Sequence, residues 1–183
     1  MKQEGYQIRN QFAKHFLTFQ VIDWVDIFTR KIYRDIILES FEFCRREKEL
    51  SINGYVIMSN HVHTIMQSKI GDLSNTIASI KKYTGLKIIR SIDAETESRR
   101  DWMLKRFEFA ARSNKRSENH QFWTHENQPK EIITGDFFRQ KLYYIHKNPV
   151  RAGIVEEPEH YLYSSARNYA KLPSLIQIDV VDL

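Results

Sequence analysis

Cysteine is almost missing from this chain. Cys44 is the only one, so neither an internal disulfide nor a cysteine-rich zinc site can form. A reducing, cytoplasmic setting is the expectation. Long apolar runs are missing too. None approaches the roughly 20 residues that a membrane span needs, so no membrane partner is expected. The start, MKQEGYQIRNQF, has no apolar block behind a basic segment and does not read as a secretion signal. Internal repeats and low-complexity linkers are not found. What remains is a 183-residue chain that is 42% hydrophobic, which fits one domain with one core. A formal net charge of +5 is compatible with a polyanionic partner without requiring one.

Patterning predicts the element order β-α-β-β-α-β-α. His15 to Ile22 (HFLTFQVI) is rich in aromatic and β-branched residues and reads as a strand. Arg30 to Glu47 reads as a helix, because Tyr33, Ile37, Phe41 and Cys44 recur at helical spacing. Leu50 to Met58 is a second strand whose start Asn53-Gly54 can bulge, and His61 to Gln67 is a third, antiparallel to it. Leu73, Ile77, Ile80 and Thr84 share one face of the next helix. About 93–120 reads as a charged, loop-rich insertion with a short helix, dense in Lys and Arg from Arg99 to Arg116. Gln121 to His125 (QFWTH) is the expected fourth strand. A helix capped by Thr134 should run to about Asn148, where Pro149 ends it. About 156–183 is a turn-rich tail with a short helix near Ser164 to Ala170. The order implies an α+β, ferredoxin-like antiparallel sheet with helices on one face and the other face free.

Two half-sites stand out on these elements. His61 and His63 are two residues apart on a predicted strand, so both imidazoles project from one face, about 7 Å apart along the chain. Two neutral imidazoles can begin a divalent-metal site, but a third ligand must come from elsewhere. A bare His-x-His also arises often by chance. The second half-site lies in DFFRQKLYYIHKNP, Asp136 to Pro149. Phe138, Leu142 and Ile145 form the packing stripe, and Lys141, Tyr144 and Asn148 form a neighbouring one. If Asn148 is a ligand, helix geometry selects Tyr144 over the adjacent Tyr143. A phenol can attack a phosphodiester and divide a hard step into two easier ones. Phenols ionise only near pH ~10, so a metal or Lys141 would have to assist. Two imidazoles and an amide oxygen are neutral donors and would leave an ion's full charge to act on a phosphate.

Taken together, these segments resemble a known family. GYVIMSNHVHTIMQ (Gly54 to Gln67), IKKYTG (Ile80 to Gly85), YYIHKNPVRAGIV (Tyr143 to Val155) and YLYSSARNY (Tyr161 to Tyr169) resemble the motifs of the Y1, or IS200-like, HUH tyrosine transposases. Among these the chain looks most like the REP-associated tyrosine transposases. The likeness runs from about Phe16 to Tyr169, and the family often has proline where this chain has Ser59. The resemblance implies a single transposase domain over 1–183 and a Mg²⁺ or Mn²⁺ cofactor. It implies cleavage of single-stranded, hairpin-containing DNA through a 5′-phosphotyrosine, in DNA transposition, by a monomer or homodimer. By position, His61, His63 and Asn148 are then the metal ligands and Tyr144 the nucleophile. Lys81, Lys82, Lys87, Arg90 and Lys141 are the expected DNA contacts, with Arg99 to Arg116 as further candidates. The alternative is a non-catalytic or domesticated binder of repeated DNA hairpins.

Overall fold

The computed structural model describes residues 7–94, 96–112 and 119–182. Its centre is an antiparallel sheet in the order β2-β3-β1-β4. The strands are β1 (His15–Gln20), β2 (Leu50–Ile57), β3 (His61–Ser68) and β4 (Lys130–Glu131). The helices are α1 (Lys31–Glu47), α2 (Leu73–Ala94), α3 (Arg100–Arg112), α4 (Gly135–Arg151) and the single turn α5 (Ala166–Tyr169). This is the expected α+β, ferredoxin-like arrangement, with an open sheet. Among the described residues, no helix is long and apolar enough to cross a membrane.

Alternation along the strands gives the sheet two distinct faces. Leu17 and Phe19 of β1 belong to one, Phe16 and Thr18 to the other. On the Leu17–Phe19 face lie α1 and α2. Phe41 of α1 meets Tyr55 of β2 at 6.1 Å between ring centroids, and Lys81 of α2 lies over Phe19. The predicted stripes are buried as expected: Tyr33, Ile37, Phe41 and Cys44 on α1, and Leu73, Ile77, Ile80 and Thr84 on α2. The register of β2 on β3 slips between Ile52 and Gly54, so Asn53 is the extra residue of a bulge. The second face is not left free, because α4 packs on its β2 side.

Three expectations change in detail. The QFWTH segment runs beside β1 but forms only an isolated bridge, Val21↔Trp123; the fourth strand is the two-residue β4. Phe122 and Trp123 are both buried, Trp123 beside Phe19 of β1 and Phe28. The short helix expected in the charged insertion is a regular one of 13 residues, Arg100–Arg112, because Met103, Phe107 and Ala111 recur every four residues and are buried. Phe107 packs on Phe122 with centroids 5.2 Å apart. Lys115 and Arg116 of the expected basic stretch lie outside the described residues. Finally, Pro149 sits inside α4, not beyond it. The helix closes two residues later, where Gly153 takes φ +68°. There Ile154 N donates to Pro149 O and Gly153 N to Val150 O, a Schellman ending that needs a left-handed residue.

Candidate nuclease site

The imidazole pair is built by β3. His61 and His63 emerge on the same face, with ring centroids 4.6 Å apart. Each Nδ1 already has a partner. His63 Nδ1 lies 3.0 Å from Thr18 Oγ1 on the neighbouring strand, across the register pair Thr18↔His63. His61 Nδ1 lies 2.7 Å from Asn60 Oδ1, so an Nδ1–H donates to that carboxamide oxygen. The same carboxamide donates from Nδ2 to Trp24 O at 3.3 Å, which fixes its orientation. The Nδ1–H of His61 leaves its Nε2 as the lone-pair donor, and His63 offers its Nε2 likewise in the tautomer whose Nδ1–H donates to Thr18. Burial lowers the His61 pKa. Burial also takes His63 down to about 3, with His61, Arg151 and Lys141 adding to the effect. Both rings are therefore held neutral, the form that ligates metal.

Helix α4 brings the phenol to this pair. Thr134 caps it by accepting from Phe137 N at 3.2 Å, and Phe138, Leu142 and Ile145 are buried as the packing stripe. Close approach depends on Gly54: a Cβ there would meet Leu142 Cδ1 at 2.8 Å. Further along, His146 Nε2 lies 2.9 Å from Ser165 Oγ. That hydroxyl accepts from Tyr55 N and donates to Tyr55 O, so one serine ties α4 to β2. The result places the Tyr144 ring edge-on to His63, centroids 5.2 Å apart, and edge-on to Phe16 at 6.0 Å. Tyr143 is 63% exposed and turned to solvent. Asn148 is half-buried on the same helix.

The charges around Tyr144 include one residue that the sequence reading missed. The Arg151 guanidinium lies over the Tyr144 ring at 4.5 Å and donates to Tyr144 O at 2.9 Å. Its signal was the i, i+7 spacing, hidden by the expectation that Pro149 ends the helix. Lys141 Nζ sits 5.7 Å from the Tyr144 centroid and 5.0 Å from that of Phe16. Burial lowers its pKa, and nearby Lys130 adds to that. Lys130 lies opposite Phe16 in the register and so shares its face, while Lys14 lies over Phe138 of α4. Among the described residues, no carboxylate forms an ion pair with Lys14, Lys130, Lys141 or Arg151.

The expected contacts on α2 are placed differently. Lys81 is not a free surface cation. Its Nζ donates to Thr124 O and Asn127 Oδ1, both at 2.6 Å, and burial lowers its pKa to about 8. Lys87 pairs with Glu39. Lys82 and Arg90 are exposed and line a cavity of about 760 Å³ between α2 and residues 119–127. All four lie across the sheet from the imidazoles. The basic residues at and just before α3 are largely paired with acids, Arg99 with Asp26, Arg100 with Asp93, Arg106 with Asp23 and Arg112 with Glu108.

The donors present suit a divalent ion in part. Two neutral imidazoles with open Nε2 atoms supply two ligands. Among the described residues, no group of three His, Cys, Asp or Glu gathers at one point; a third donor of another type, such as an asparagine oxygen, would be needed to complete a site here.

No family model and no curated protein matches the sequence. Solved structures do. A REP-associated tyrosine transposase, solved bound to a REP hairpin, superposes with a TM-score of 0.65 at 18% identity, over 99% of this chain and 95% of that one. A candidate transposase from Deinococcus radiodurans aligns over 79% of this chain and 95% of that one, at 9% identity and a TM-score of 0.46, too distant to carry weight. Over nearly its whole length, this chain has the fold of a REP-associated tyrosine transposase.

Proposed function

We propose that this protein binds hairpin-containing single-stranded DNA and cuts it with Tyr144, acting as a strand transferase in DNA transposition. The binding half is supported by the fold shared with a hairpin-bound tyrosine transposase and by the unpaired cations around the site. The cutting half is carried by one observation: Tyr144, not Tyr143, stands against the neutral imidazole of His63.

His61, His63 and Asn148 would hold Mg²⁺ or Mn²⁺, which supplies Lewis-acid charge for the scissile phosphate. The rest belongs to the chain. Lys141 and Arg151 flank the phenol and favour negative charge on it and on the phosphate. The Tyr144 oxygen forms a bond to phosphorus as the bond from phosphorus to the 3′-oxygen breaks. The phenolic proton is lost and the departing oxygen gains one, giving a 5′-phosphotyrosine and a free 3′-OH.

A second reading has its own support. Without a cluster of three His, Cys, Asp or Glu among the described residues, the same fold can serve as a hairpin binder that does not turn over. Incubation with hairpin-flanked single-stranded DNA and Mn²⁺ separates the two. A covalent protein–DNA adduct supports cleavage; tight binding without adduct or nick supports the binder.

A further inference from the structure

Trp24 is 60% exposed, an unusual setting for a large indole. It stands beside the site, its ring edge-on to His61 at 6.3 Å between centroids. The backbone that presents it is strained. Asp23 and Trp24 have φ of +51° and +56°, a left-handed pair without glycine, and such conformations cost free energy and persist only where their surroundings impose them. Here the surroundings do. Trp24 N donates to Val21 O, and Asn60 Nδ2 donates to Trp24 O. Asn60 thus holds the tryptophan and His61 with one carboxamide. A fold that gained only packing would have buried this ring. Instead an aromatic surface is kept open at the edge of a site whose other flank carries unpaired cations.

We propose that Trp24 is a stacking platform for a nucleobase of single-stranded DNA next to the scissile phosphate. Resting on the function proposed above, this adds a base-binding subsite to it. Every base has a π-face, so the platform holds the strand without reading sequence. The cations beside Tyr144 hold the backbone on the opposite flank, and the strand crosses the imidazole pair between them.

The test is fluorescence. In a Trp102→Phe background, Trp24 is the exposed indole, since Trp123 is buried. Titration with oligothymidine should quench its emission. Anisotropy of labelled oligothymidine should show Trp24→Leu binding about tenfold more weakly, and Trp24→Phe close to wild type. Stacking releases no counterions, so the dependence of affinity on salt should keep its slope in Trp24→Leu. Unchanged affinity in Trp24→Leu or absence of quenching overturns the proposal. So does equal weakness of Trp24→Phe, or a change of oligomeric state in Trp24→Leu by sedimentation, which would make the ring a contact between copies. The function reading fails separately: quenching without any Tyr144 adduct removes cleavage and leaves the platform. An adduct from wild type with full-affinity binding by Trp24→Leu does the reverse.

Discussion

The Tyr144 and His63 rings meet in a T-shaped arrangement, 5.2 Å between centroids, while the neighbouring Tyr143 faces water. Tyr144→Phe should therefore abolish the covalent adduct and single-strand nicking. Folding should survive, because the ring still packs on Phe16 and His63. Tyr143→Phe should cut at near wild-type rate. Peptide mapping of a labelled adduct decides the matter, and label on Tyr143 would remove the assignment.

Thr18 and Asn60 each occupy an Nδ1 atom and so orient the imidazoles. Partners of this kind typically alter metal affinity 10- to 100-fold when removed. Thr18→Val keeps the side chain's shape and deletes the hydroxyl. Mn²⁺ affinity measured by calorimetry on the DNA-free protein should drop by at least about tenfold in Thr18→Val and in Asn60→Ala. Wild-type affinity in both would mean that the rings are held without them.

Lys14, Lys130 and Lys141 share the Tyr144 face without acidic partners among the described residues. On single strands each neutralised phosphate contributes about 0.7 to the slope of log affinity against log salt. Changing all three to Gln should make that slope shallower by about 2. Changing Lys82 and Arg90 to Gln should leave it alone. A steep slope retained in the triple variant and lost in the α2 pair would put the backbone path across the sheet.

His146 gives an acid sensitivity. Burial holds its folded pKa at about 4, against about 6.5 in an unfolded chain. Between these values the unfolded state binds the extra proton, so stability rises with pH there. The contribution is complete above about pH 6.5 and is lost as pH falls towards about 4. His146→Gln lacks this titration. Its urea midpoint should therefore fall less than that of wild type between about pH 7.5 and 5. Parallel falls would show that the burial of His146 is not the cause.

Strand alternation made the imidazole pair legible, and helical spacing separated Tyr144, which meets His63, from Tyr143. Both are local rules with fixed periods. What escaped depends on contacts made elsewhere. Arg151 reaches Tyr144 only because Gly153 lets α4 close beyond Pro149, and a proline before a helix end ordinarily reads as a stop. Phe122 and Trp123 look like strand residues, yet Trp123 Nε1 donates to Thr84 Oγ1 at 3.0 Å, a bond on α2 that pattern does not reveal. Lys81 looks like any surface lysine until Thr124 and Asn127 fold over it. Periodicity does not locate the helices relative to one another. It therefore assigned the α2 cations to a site on the far side of the sheet.

The C-terminal tail lies along β2, the outermost strand. Ile57 N donates to Tyr163 O, Ser165 N to Tyr55 O and Asp179 N to Ile52 O, and Asn53 Nδ2 to Asp179 O. These bonds occupy groups that an edge strand would otherwise offer to a second chain, the usual template for aggregation. At the other end, β4 is two charged residues long, too short to recruit a partner strand. The segment after α4 is thus a solubility device as well as an anchor. Cutting it away would leave the candidate site residues in sequence but would uncover the edge of an eight-residue, largely apolar strand, and the fragment would self-associate.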